Sequence, residues 1–138
     1  MRCRGGENIA RSEHHPDGLI YYNSRLAYRG YTLFSGGEDK AFLIDMKGNV
    51  VHQWQSESGI SNPELLPSGN LICLGKPDPI NAGQRGLNGQ ASCCIELDWD
   101  SNIVWSYEDV WMHHDYERLP NGNTLIVKWE PLPELSLI

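Results

Sequence analysis

The chain has no apolar run approaching the ~20 residues that a membrane-spanning helix requires. Residues 1–15 include Arg2 and Arg4 but no apolar core of the kind that drives secretion. Basic excess is also missing. Eleven Lys and Arg stand against 18 Asp and Glu, a formal charge of −7. Nucleic acid and anionic membrane surfaces select basic patches, so neither is expected as a partner. An anionic substrate is still allowed, because a local cluster of His, Arg and backbone N–H groups suffices to bind one. The four cysteines, Cys3, Cys73, Cys93 and Cys94, show no Cys-x-x-Cys spacing, which argues against a zinc ribbon or a thioredoxin motif. They are expected as buried free thiols in a reducing compartment, and a cytoplasmic location follows as an expectation. Ser56, Ser58 and Ser61 lie outside any Gly-x-Ser-x-Gly elbow, which removes the usual signature of a serine hydrolase. Helical periodicity is absent.

What is present is β-structure. At 138 residues, 40% hydrophobic and 21% charged, the chain has the make-up of one globular domain. Residues 1–17, with His14-His15-Pro16-Asp17, read as a flexible arm, and its histidine pair as solvated rather than metal-binding. Residues 18–138 turn aromatic and β-rich, with strands expected at Leu19–Tyr22 and within Ala27–Phe34. A repeat then emerges. Asp45, Asn49, Val51, Glu64, Leu66, Pro67, Gly69 and Asn70 recur as Asp98, Asn102, Val104, Glu117, Leu119, Pro120, Gly122 and Asn123, all at one offset of 53 residues. Each unit, about 41–75 and 94–128, predicts four short strands (41–45, 50–55, 63–66 and 70–74 in the first). Four-stranded units at such a period mark β-propeller blades. The expected fold is all-β, built of antiparallel blades. Two units are too few to close a ring, so further blades or self-association of copies is expected. The five tryptophans, Trp54, Trp99, Trp105, Trp111 and Trp129, are expected in the core between blades. Asp98-x-Asp100-x-Asn102 lacks the glycine and bidentate glutamate of a calcium loop and reads as a hairpin turn.

Chemistry concentrates in His113-His114-Asp115-Tyr116-Glu117-Arg118, just before the Pro120-Asn121-Gly122-Asn123 turn. The first unit carries Ile60-Ser61-Asn62 where the second carries His113-His114-Asp115, so folding of the unit does not demand histidine there. On a regular strand His113 and His114 face opposite sides, Asp115 joins His113, and Tyr116 and Arg118 join His114.

With these residues laid out, the chain resembles the arylsulfotransferase family, the aryl sulfate sulfotransferases that work without PAPS. The resemblance is carried by Ala27–Phe34, Leu43–Trp54, Leu65–Leu71, Glu96–Asp100, His113–Ile126 and Trp129-Glu130, in family order across most of residues 18–138. It implies a six-bladed propeller that moves a sulfuryl group from a phenolic sulfate ester to a phenol, a histidine carrying the group between half-reactions. On that reading His113 or His114 is catalytic, Asp115, Tyr116 and Arg118 help to bind substrate, and neither metal nor cofactor is expected. Two other readings stand beside it: a non-catalytic propeller that binds a ligand or protein, and an incomplete, inactive fragment.

Overall fold

The computed structural model describes Leu19, residues 21–77 and residues 89–130. The expected arm 1–17, with His14, His15 and Cys3, lies outside the described residues. Among the described residues nine strands follow in order: β1 (Thr32–Gly36), β2 (Lys40–Ile44), β3 (Val50–Gln55), β4 (Ser61–Leu65), β5 (Leu71–Leu74), β6 (Cys93–Leu97), β7 (Ile103–Glu108), β8 (Met112–Arg118) and β9 (Thr124–Lys128). Among the described residues there is no helix, and none long and apolar enough to cross a membrane. The strands form three antiparallel sheets: β1-β2-β3, then β4-β5-β6-β7, then β8-β9.

The repeat is written into the hydrogen bonds. Asp45 Oδ1 accepts from the Asn49 amide at 2.9 Å, and Asp98 Oδ1 accepts from the Asn102 amide at 2.8 Å. These self-bonded turns hold both carboxyls below the usual aspartate range, the Asn49 and Asn102 side chains being the leading cause. The two turns need a left-handed residue at the same place: Gly48 has φ 81° and Ser101 has φ 67°. Likewise Lys76 N–H donates to Ser58 O at 2.6 Å and Trp129 N–H to Trp111 O at 2.9 Å.

Two expectations need correction. A sequence unit does not coincide with a sheet: each contributes two strands to one sheet (β2-β3, β6-β7) and two to the next (β4-β5, β8-β9). The turns at Asp45 and Asp98 join neighbours within a sheet, whereas the connections from β3 to β4 and from β7 to β8 cross between sheets. In addition, the run from Tyr21 to Tyr31 is not strand. Asn23 Oδ1 accepts from the Arg25 amide at 3.0 Å, and Asn23 O accepts from Ala27 N at 2.9 Å. That local turn competes with extension, as Asn side chains commonly do.

Period-two alternation in the middle sheet supplies both cores. Leu71, Cys73, Ile95 and Leu97 meet Ala41, Leu43 and Trp54 of the first sheet. Ile72, Leu74 and Cys94 meet Met112 and Tyr116 of the third. Cys73, Cys93 and Cys94 are buried and unbridged, and burial pushes the Cys73 and Cys94 thiols up to about 12, so both stay protonated at neutral pH. Of the five tryptophans only Trp54 is fully buried; Trp99 and Trp129 keep exposed faces. Residue 52 and its counterpart 105 pin adjoining sheets together. His52 stacks on Trp99 at 3.8 Å, and Trp105 carries the Arg118 guanidinium at 4.5 Å.

Candidate functional site

β8 is not a regular strand. Its register against β9 slips between Met112 and Tyr116, and His114 sits at φ 60°, in the left-handed region. Histidine is one of the few side chains enriched there, and bulges of this kind re-aim side chains. The alternation expected across residues 113–118 therefore fails.

The outcome separates the five residues. His114 is exposed and lines a cleft of about 670 Å³, together with Ser61, Asn62, Lys76, Gln90 and the turn around Glu38. Its amide donates to Gly89 O at 2.7 Å, and its ring lies over Gly89, where any methyl group would overlap Nε2. His113 does not line that cleft. It is half-buried and stacks on Trp129, ring centres 4.4 Å apart. The two histidines nevertheless meet, Nδ1 to Nδ1 at 3.0 Å. Such a contact holds a single proton, so one ring donates and the other accepts. Partial burial, reinforced by repulsion from His114, holds the His113 pKa below the ordinary histidine value. A neutral His113 is able to accept.

The other three residues are engaged elsewhere. Asp115 Oδ1 accepts from Asn62 Nδ2 at 3.0 Å and from the Tyr116 amide at 2.9 Å, and so ties the two repeat-equivalent positions together. Tyr116 is buried; its hydroxyl lies 2.6 Å from Asn62 O and 2.8 Å from Ile72 O, both acceptors, and burial raises its pKa strongly. Arg118 donates to Glu96 at 2.8 Å and to Gly122 O at 3.0 Å, with only 14% of its side chain accessible. Its charge is matched by Glu96, so it is set up to hold two sheets together. Tyr116 and Arg118 thus do not share a face with His114, because the bulge rotates β8 between them.

The cleft also contains residues that sequence reasoning missed. Lys76 places an ammonium on its wall, 3.9 Å from Glu38, and Gly89 and Gln90 run beside the start of β8. No local pattern connects positions 76, 89 and 114; only the stacking of sheets does. Among the described residues no three His, Cys, Asp or Glu side chains converge as a metal-binding set. No protein-family model matches the chain, and no curated protein or solved structure matches it either.

Proposed function

We propose that the three stacked sheets are consecutive blades of a β-propeller and that the cleft at His114 supports transfer of a sulfuryl group from a phenolic sulfate ester to a phenol. One observation carries this reading: His114 is the histidine in the cleft, and its inner nitrogen is held by His113. With His113 neutral and accepting, His114 keeps its proton on Nδ1 and a lone pair on Nε2, which is the arrangement of a nucleophile oriented by a second group. The Nε2 lone pair attacks sulfur, the bond between sulfur and the phenolic oxygen breaks, and the first phenol leaves as phenolate to be protonated from solvent. A second phenol then attacks sulfur and gives up its proton to solvent, and the N–S bond breaks to return neutral His114. Charge in such transfers spreads over the sulfuryl oxygens, where the Lys76 ammonium offers electrostatic stabilisation.

The neutralisation of Arg118 by Glu96 favours a second reading, a cleft that binds an anionic or phenolic ligand without transfer. The test is incubation with p-nitrophenyl sulfate and a phenol acceptor, with mass analysis of the quenched protein. Transfer together with a sulfuryl adduct on His114, both lost in His114→Ala, supports the catalytic reading. Unchanged transfer in a folded His114→Ala sinks the assignment, and ligand binding without adduct favours the second.

A further inference from the structure

Three non-glycine residues among those described have positive φ: Asn62, Ser101 and His114. Ser101 belongs to the turn at Asp98, where the hairpin itself demands a left-handed residue. Asn62 and His114 serve no such turn. Both sit in strands with slipped register, β4 and β8, and both line the cleft of about 670 Å³. Backbone strain collects where side chains must be aimed, and here two strained residues face one cleft. A direct bond joins the two bulges. Asn62 and Asp115, the residue after His114, are equivalent positions of the two units, and Asn62 Nδ2 donates to Asp115 Oδ1 at 3.0 Å. Asp115 Oδ1 also accepts from the Tyr116 amide at 2.9 Å, and the Tyr116 hydroxyl donates to Asn62 O at 2.6 Å. Residue 62 is thus tied by side chain and by backbone to the two residues that follow His114. At His114 itself the amide donates to Gly89 O at 2.7 Å.

We infer that Asn62 is a positioning residue: through Asp115 it holds the left-handed bend of β8 that points His114 into the cleft and brings its Nδ1 against His113. Asparagine suits the task because it tolerates positive φ and still carries a donor on a short side chain. Both Asn62 and Asp115 are exposed, so their bond adds little to folding; what it supplies is direction. Without the Asn62 amide, Asp115 is free to swing, and residue 114 relaxes toward the extended backbone of a regular strand. That relaxation carries the imidazole away from both His113 and Gly89. This geometry is independent of the chemistry; only its consequence for sulfuryl transfer rests on His114 being the nucleophile.

The experiment is long-range proton–nitrogen NMR of the histidine rings in the whole chain, which reads the His114 tautomer and needs no sulfate ester. Asn62→Gly is the first variant, because glycine accepts φ 49° and only the amide is lost. Its urea midpoint should stay close to that of the wild type, while the His114 nitrogen signals move toward the mixed tautomers of an unrestrained imidazole. Asp115→Ala should cause the same movement by removing the acceptor, and adding Asn62→Gly to it should change nothing further, since both remove one bond. Asp115→Asn keeps the Oδ1 acceptor and should return the signals to their wild-type positions. His114 signals unmoved in a folded Asn62→Gly would overturn the inference. So would a movement in Asp115→Asn as large as in Asp115→Ala, or one shared equally by His52, which would make the bond a matter of packing alone. Where the wild type forms a sulfuryl adduct, Asn62→Gly should slow its formation by about tenfold or more. A wild type that forms no adduct counts against the nucleophile, and the NMR comparison still decides the role of Asn62.

Discussion

The two repeat units place equivalent segments at residues 60–62 and 113–115 and draw different results from them. In the first unit Ile60 is core, Ser61 Oγ donates to Leu74 O at 3.1 Å, and the left-handed residue is Asn62, at φ 49°. In the second, His113 is half-buried against Trp129, and the left-handed position has moved one residue earlier in the unit, to His114. Both strands slip register at this place, between Ser61 and Glu64 and between Met112 and Tyr116. The bulge is thus a property of the unit, and the histidines exploit it. A non-glycine left-handed residue stores strain on the order of 1–3 kcal/mol when the backbone is unfavourable, and such strain gathers where side chains must be aimed. One copy uses the bulge for packing, and the other uses it to point an imidazole into a cleft.

The largest effect that sharpens this comparison lies at another equivalent pair, Trp54 and Tyr107. Trp54 is fully buried and donates from Nε1 to Asp98 O at 3.1 Å, whereas Tyr107 is 41% exposed. Trp54→Ala should cost about 3–5 kcal/mol, read as a drop in the urea midpoint at unchanged slope. Tyr107→Ala should cost well under half of that. Equal losses would show that the third sheet packs against Tyr107 as closely as the middle sheet packs against Trp54.

That pair also shows where sequence reading stops. The strand pattern, the turns at Asp45 and Asp98 and the 53-residue offset were legible because they rest on local rules: alternation, self-bonded Asp side chains and residues tolerating positive φ. The partition into sheets was not, because the link from β3 to β4 and the turn from β4 to β5 look alike as short polar breaks. At the site, the contrast of His113-His114 with Ile60-Ser61 was legible in the sequence, whereas the cleft that His114 lines and its contact with His113 were not. Nor were the roles of Tyr116 and Arg118. Regular alternation put them beside His114, and a bulge with no marker beyond the adjacent histidines turned them toward Ile72 and Glu96. Lys76 and Gly89 were invisible for the same reason, since their relation to His114 exists only across sheets.

A smaller effect is expected at Tyr116, whose counterpart in the first unit is Pro63. The Tyr116 hydroxyl serves the Asn62 and Ile72 carbonyls in a buried layer. Tyr116→Phe keeps the ring and removes the donor, leaving two carbonyls without it, at a cost of about 1–3 kcal/mol. If transfer activity falls no more than stability predicts, Tyr116 is a packing residue. A folded Tyr116→Phe with intact stability and lost turnover would return the phenol to the substrate.

The smallest expected effect tests the histidine pair itself and separates the two units cleanly, because Ile60 cannot titrate where His113 can. Burial and the neighbouring His114 hold His113 below the ordinary histidine value of 6.5. A group with a depressed folded pKa binds its proton less readily in the native state than in the unfolded chain. Its contribution to stability is therefore complete above pH 6.5 and is lost progressively as the pH falls through the folded value. His113→Asn should flatten that acid limb of the urea midpoint while leaving the neutral plateau in place. The same protonation converts His113 from acceptor to donor, so it also removes the partner that fixes the His114 tautomer. Turnover in the wild type should accordingly decline at lower pH than the onset of the stability loss, as the folded protein itself takes up a proton at His113, and His113→Asn should remove that decline's link to the stability profile. A wild-type stability profile that His113→Asn leaves unchanged would place the titrating group elsewhere and remove the basis for treating the pair as a unit.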